Sequence, residues 1–230
     1  ADVNRLASYP CWSPDGRTLY FSSALIPWRD RSQIPPENYD RVLYDLMKIS
    51  YTPETGIWGE PEIFLSSEET GLSILEPRIS PDGRFLLFCM CDYGVFPVFR
   101  PSSDLYMMDL QSGEYSRLDI NSEYSESWHS WSSNSRWIAF SSKRLDGLFT
   151  RPFFSYVDME GRVHKPFILP RKDPVFYRSF LRTFSVPELI TGPIRISQKA
   201  LVRAIRSSEQ IKVDTFTSAS PKGKKVPIRE

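Results

Sequence analysis

The sequence predicts an all-β chain, a partial β-propeller of three four-stranded blades with a C-terminal helical extension. Three observations predict it. One short box occurs three times, at residues 9–23, 76–90 and 128–142; each box is followed by two more strand patterns joined by a glycine turn; beyond residue 170 the apolar period becomes helical. The expected blades are about 1–66, 67–121 and 122–170, and residues 171–230 form the basic extension with a mobile end.

Aligned on Ser13, Ser80 and Ser132, the boxes share a turn: Ser13-Pro14-Asp15-Gly16, Ser80-Pro81-Asp82-Gly83 and Ser132-Ser133-Asn134-Ser135. Proline presets φ at the first corner, aspartate suits the second, and glycine takes the positive φ that closes the hairpin. Ser135 stands where glycine belongs, so the third turn is expected to be strained or differently shaped. Arg17, Arg84 and Arg136 then open a strand in which Leu19 and Phe21, Leu86 and Phe88, and Ile138 and Phe140 share one face. The other face carries Thr18 and Tyr20, Phe85 and Leu87, Trp137 and Ala139, so the strand is largely apolar on both sides and belongs between two layers.

Third and fourth strands are expected at 44–51 and 58–65, at 104–110 and 115–120, and at 152–158 and 163–169, around turns closed by Gly56, Gly113 and Gly161. Four strands per repeat with turns at matching offsets describe a propeller blade. The boxes lie 67 and 52 residues apart, wider than the roughly 40–50 residues of compact propeller repeats. The excess falls in the second-to-third-strand connections, at 24–43, 92–103 and 143–151. Three blades do not close a ring, because natural rings use about four to eight. Three completions stay open. The chain is the C-terminal half of a larger propeller, favoured because it starts on Ala1 and the first box follows at once; two copies pair as half-rings; or the extension supplies a blade.

In the extension, Asp173-Pro174 reads as a helix start, Phe176, Tyr177, Phe180, Leu181 and Phe184 fall on one helical stripe, and Val186-Pro187 ends it. This helix is expected to seal the propeller. A second helix is expected over 197–208, with Ala200, Leu201, Ala204 and Ile205 inward and Lys199, Arg203 and Arg206 outward. Residues 215–230 read as a mobile end.

The boxes resemble the TolB-like, WD40-like propeller repeat, whose pattern is roughly Pro-x-Trp-Ser-Pro-Asp-Gly-x-x-Ile-x-Phe. The first two boxes carry Ser-Pro-Asp-Gly intact, the second has Ile79 in place of tryptophan, and the third departs at Ser133-Asn134-Ser135. The resemblance covers about residues 9–170. It implies a propeller fold and a periplasmic or cell-envelope location; propellers host many unrelated activities, so it names no reaction.

Charge is divided: residues 1–170 hold 16 Lys+Arg against 23 Asp+Glu, and residues 171–230 hold 13 against 5. The basic extension is expected to lie against the acidic propeller. An acidic propeller and a basic tail without interleaved aromatics argue against nucleic acid. No stretch is long and apolar enough for a transmembrane segment. Cys11, Cys89 and Cys91 make no disulfide framework and are expected to be buried or half-buried thiols. There is no nucleophile elbow, phosphate loop, dinucleotide fingerprint or paired-cysteine motif, and His129 and His164 are the only histidines. No catalytic residue, metal or cofactor is expected.

The candidate site is the face of the three long connections. They carry Trp28, Arg29 and Arg31; Tyr93, Phe96 and Arg100; and Arg144 and Arg151, together with Phe99 and Phe149. Aromatic and arginine side chains dominate interaction hot spots, and arginine clamps carboxylates. Trp128 and His129, early in the third box and so near the central channel, complete the set; the simpler reading of His129 is a packed, hydrogen-bonded core histidine. The expected function is a non-catalytic module that binds a protein segment or anionic ligand. The alternatives are the substrate-gating propeller of a larger serine peptidase or metal-dependent enzyme, and a structural half-ring that dimerises.

Overall fold

The computed structural model describes residues 4–26 and 36–207. They divide into two units, Asn4–Ile190 and a second described over 191–207. The first unit holds three antiparallel sheets. Blade one contains β1 (Arg5–Trp12), β2 (Thr18–Leu25), β3 (Asp45–Thr52), β4 (Ile57–Trp58) and β5 (Glu62–Leu65). A short helix α1 (Ser67–Thr70) leads to blade two: β6 (Ser73–Ile79), β7 (Phe85–Cys91), β8 (Asp104–Asp109) and β9 (Tyr115–Arg117). Blade three is β10 (Glu126–Trp131), β11 (Trp137–Ser142), β12 (Arg151–Tyr156) and β13 (Phe167–Ile168). The protein is a partial all-β propeller.

The box turns are built alike. In each, the first serine hydroxyl donates to the third residue's side chain, Ser13 to Asp15, Ser80 to Asp82 and Ser132 to Asn134, at 2.5–2.6 Å. The same side-chain oxygen accepts the backbone N–H of Arg17, Arg84 or Arg136 at 3.0–3.2 Å. Gly16 and Gly83 have φ of 68° and 76°, and Ser135 takes the same left-handed conformation at 58°. Its hydroxyl accepts the Asp82 N–H at 3.0 Å, so the residue that departs from the pattern ties blade three to blade two.

Alternation along the second strands fills the spaces between blades. All of β7 is buried. Leu86, Phe88 and Met90 pack with Tyr20 and Leu46 of blade one, whereas Phe85, Leu87 and Cys89 pack with Trp131, Ile138 and Phe140 of blade three. The columns face one way around the arc: Ile138 and Phe140 meet blade two, and Leu86 and Phe88 meet blade one. Among the described residues, their counterparts Leu19 and Phe21 meet no other blade and line an open apolar depression with Ala7, Pro10, Ile49 and Trp58.

The innermost strand of every blade carries a bulge at the start of its box. Register shifts by one residue between Ser8 and Cys11, Leu75 and Arg78, and Ser127 and Ser130. Tyr9, Glu76 and Trp128 take positive φ there, at 54°, 57° and 50°. A bulge bends its strand and re-aims a side chain, and here it does so at equivalent points of three blades.

All three fourth strands are shorter than the pattern predicts, blade two's ending at Arg117. Blade one's is split into β4 and β5 around Gly59-Glu60-Pro61, and blade three's is reduced to two residues after Pro166, because proline has no N–H for the ladder. The predicted helix at 173–186 is also corrected: only one turn forms, α2 (Phe176–Ser179). The segment instead runs as an irregular strap along blade three. Arg151 donates to the carbonyls of Arg182 and Phe180, Ser141 to Ser185, and Ser130 to Pro187, at 2.7–2.8 Å. These partners replace the i→i−4 bonds a helix would have made. Phe180 stacks on Phe176 at 4.8 Å and packs on Phe184 at 5.2 Å. In the second unit, α3 (Gln198–Ile205) starts on Ser197, whose hydroxyl accepts the Ala200 N–H at 3.2 Å. Leu201 and Ile205, expected inward, are 42% and 77% exposed.

Candidate functional site

The long connections of the three blades meet on one face. The Gly94 N–H donates to Val42 O at 2.9 Å, and the Ser125 hydroxyl to Pro97 O at 3.0 Å. Tyr39 of the first connection packs edge-on against Tyr93 of the second at 5.5 Å. Lys143 Nζ of the third lies 5.6 Å from the Phe99 ring of the second. Trp28, Arg29 and Arg31 lie outside the described residues.

Two of the predicted residues stand out on this face. Phe96 precedes and Phe99 ends a short 3₁₀ turn begun by Pro97; the two rings are in edge-to-face contact at 6.3 Å and are 55% and 69% exposed. Leu145 and Leu148 of the third connection are also exposed. Tyr93 and Arg100 are half-buried: the guanidinium lies 3.7 Å from the Tyr93 ring centre and donates to its hydroxyl.

Arg144 and Arg151 are corrected from surface clamps to internal ties. Arg144 Nη2 donates to Ile120 O at 2.9 Å and to Glu126 Oε1 at 3.0 Å, and its guanidinium lies 4.6 Å from the Phe153 ring centre. Glu126 is fully buried and also accepts from Ser122 and Ser142, so the charge pair is satisfied inside the blade. Arg151, 1% exposed, holds the strap. Lys143 takes their place as the third connection's cation on the loop face.

Trp128 is half-buried with its ring edge-on to Tyr9 at 5.9 Å, and His129 is 2% exposed. Their bulge brings His129 to Cys89, expected as a buried thiol, and to Glu76, which the sequence reading did not single out. His129 Nδ1 lies 3.6 Å from Cys89 Sγ and 4.0 Å from Glu76 Oε2, and Cys89 Sγ lies 3.5 Å from Glu76 Oε2. Glu76 Oε2 accepts the Trp128 N–H at 2.6 Å; Oε1 is buried without a partner. Burial pushes Glu76 up to about 7, against the pull of the Trp128 N–H, and pushes His129 down to about 3. Burial, with Glu76 beside it, holds the Cys89 thiol well above its ordinary value. The box alignment held a signal: Glu76 is the one acid in a column whose other members are Tyr9 and Trp128.

No protein-family profile matches the sequence, and no curated protein matches it. Among solved structures, the chain is similar to the β-propeller domain of the Trilobed protease from Pyrococcus furiosus, at 16% identity and TM-score 0.39, over 74% of this chain and 45% of that one. It is similar to an oligogalacturonate lyase solved in complex with manganese, at 13% identity and TM-score 0.48, over 73% and 43%. It is also similar to the Dos1 propeller, at 13% identity and TM-score 0.44, over 73% and 38%. The chain thus spans less than half the length of each.

Proposed function

We propose that this chain is a non-catalytic propeller module whose loop face binds a protein segment bearing apolar and acidic side chains. The observation that carries the reading is the pairing of exposed Phe96 and Phe99 with Lys143, which sits against the Phe99 ring. An exposed aromatic anchor beside a cation suits a partner's apolar residue flanked by a carboxylate. From the resemblance of its boxes to the TolB-like repeat we also carry over a periplasmic or envelope location.

The test is selection of a displayed random peptide library on the parent chain and on Phe99→Ala/Lys143→Ala. Peptides rich in aromatic, aliphatic and acidic residues are expected on the parent, with affinity falling by roughly thirtyfold on the variant, as for a hot-spot pair. Peptides of any other composition, or equal affinity for both chains, would overturn the reading.

A further inference from the structure

We propose that Glu76, Cys89 and His129 form a structural site for a zinc-class divalent cation that fastens blade two to blade three. The inference goes beyond the loop-face reading and does not depend on it. In a tetrahedral zinc site, bond lengths of about 2.0–2.3 Å to oxygen, nitrogen and sulfur put neighbouring donors roughly 3.3–3.6 Å apart. Two of the three edges here are 3.5 and 3.6 Å, and the third, Nδ1 to Oε2, is 4.0 Å. Closing that one edge by a few tenths of an ångström completes the face of a tetrahedron.

The histidine is already in the tautomer a metal needs. Nε2 lies 3.1 Å from the Leu87 carbonyl, which can only accept, so the ring proton is on Nε2 and the Nδ1 lone pair points at the sulfur. Fixing one imidazole nitrogen on a carbonyl so that the other can ligate is the usual outer support of a metal-bound histidine. Glu76 supplies the second sign, because Oε1 is buried with no hydrogen-bond partner. That oxygen is free to bind the same ion alongside Oε2, a bidentate carboxylate whose short bite gives a distorted four-donor site.

Charge balance points the same way. A divalent ion, one carboxylate, one thiolate and a neutral imidazole sum to zero, so the loaded cluster buries no net charge. Without an ion, the one side chain within salt-bridge distance of Glu76 among the described residues is His129, which is neutral. Mixed sulfur, nitrogen and oxygen donors select zinc over magnesium or calcium. The three residues are 0–4% exposed, which leaves no open position for substrate and makes the site structural. Metal binding to such a site adds to folding stability, since the unfolded chain offers no preformed cluster.

Because the cluster is enclosed, the metal must enter as the chain folds. The test is refolding of the chain from denaturant with cobalt(II) as a spectroscopic probe, and in parallel with zinc. One cobalt per chain is expected, with a thiolate-to-metal charge-transfer band and intense tetrahedral visible bands that excess zinc removes. Cys89→Ser should abolish the charge-transfer band while retaining the β-sheet circular dichroism, and Cys91→Ser and Cys11→Ser should keep it. Zinc should raise the unfolding midpoint of the parent but not of Cys89→Ser. Should Cys89→Ser fail to fold, Glu76→Gln serves: loss of a direct ligand should weaken cobalt binding by more than the roughly 10–100-fold of outer-support changes. A natively refolded parent without the band would overturn the proposal. So would a band abolished by Cys11→Ser or Cys91→Ser, or Glu76→Gln binding cobalt as the parent does.

Discussion

Replacing Arg151 with methionine is expected to release the strap at 176–190 from blade three. The guanidinium is 1% exposed and donates to Arg182 O at 2.7 Å, Phe180 O at 2.8 Å and Thr150 O at 3.3 Å, with Asp146 Oδ2 at 3.5 Å. Methionine keeps the stem's packing and removes the donors. The two bonds to the strap are charge-assisted, at about 1.5–3 kcal/mol each, and the two carbonyls are left without their partners. Relief of the buried charge offsets part of that sum, so the expected loss is about 3 kcal/mol. If the strap opens alone, tryptic cleavage after Arg178 and Arg182 should accelerate by about a hundredfold, since cleavage follows the open population. Urea unfolding would show the part of the loss that reaches the whole unit. Arg151→Lys keeps the charge but lacks the fork and should show about half the effect. A methionine variant within about 1 kcal/mol of the parent, cleaved no faster at either site, would refute the assignment of Arg151 as the strap's anchor.

Four further outcomes follow from the repeat. Phe88→Ala and Phe140→Ala, in the columns that face a neighbouring blade, should each cost about 3–5 kcal/mol in urea unfolding, whereas Phe21→Ala on the open face should cost about 1; equal losses would mean that blade one's face is covered in solution. Gly83→Ala should cost about 1–2 kcal/mol through strain alone, because its φ is 76° and the space around a new Cβ is open. Ser135→Gly relieves similar strain but deletes the bond from Asp82 and should stay within about 1 kcal/mol of the parent. The Ser13 hydroxyl holds Asp15 below the usual carboxylate range, and the Gln111 N–H does so for Asp109. Folded values below unfolded ones mean that this stabilisation is present above the ordinary carboxylate pKa and is lost as pH falls through the lowered values. Asp15→Asn/Asp109→Asn should therefore flatten the acid limb of the stability profile; an unchanged limb would exclude these turns as its source.

The blades were legible in the residues because their signals are local. A serine, an aspartate and a glycine within four positions make a turn whatever surrounds them, and alternation around Phe88 and Phe140 marks a strand with two covered sides, whereas around Phe21 the same alternation leaves one side open. Ser197 likewise announces α3. The segment 173–186 misleads for the converse reason. Its stripe is helical, but donors from Arg151, Ser141 and Ser130, at least 29 residues away in sequence, capture its carbonyls. Pro61 and Pro166 were visible warnings that two fourth strands would break. Among the loop residues, composition picked out Phe96 and Phe99, which are exposed, but could not separate Arg100 from Arg144 and Arg151. Whether a guanidinium faces water or a buried carboxylate depends on Glu126 and the strap, not on its neighbours in the chain.

By itself the sequence determined the all-β class, the three boxes and the loops that would share a face, since each follows from backbone preferences within a few residues. Only the tertiary structure decided that Glu76, Cys89 and His129 meet. They stand on three strands of two blades, the first pair 13 positions apart in sequence and the second 40, so no ligand spacing exists to be read. Two backbone bulges and the packing of one blade on the next bring their donor atoms within 4.0 Å. Distances of that kind are set by how sheets stack, which no short stretch of sequence encodes.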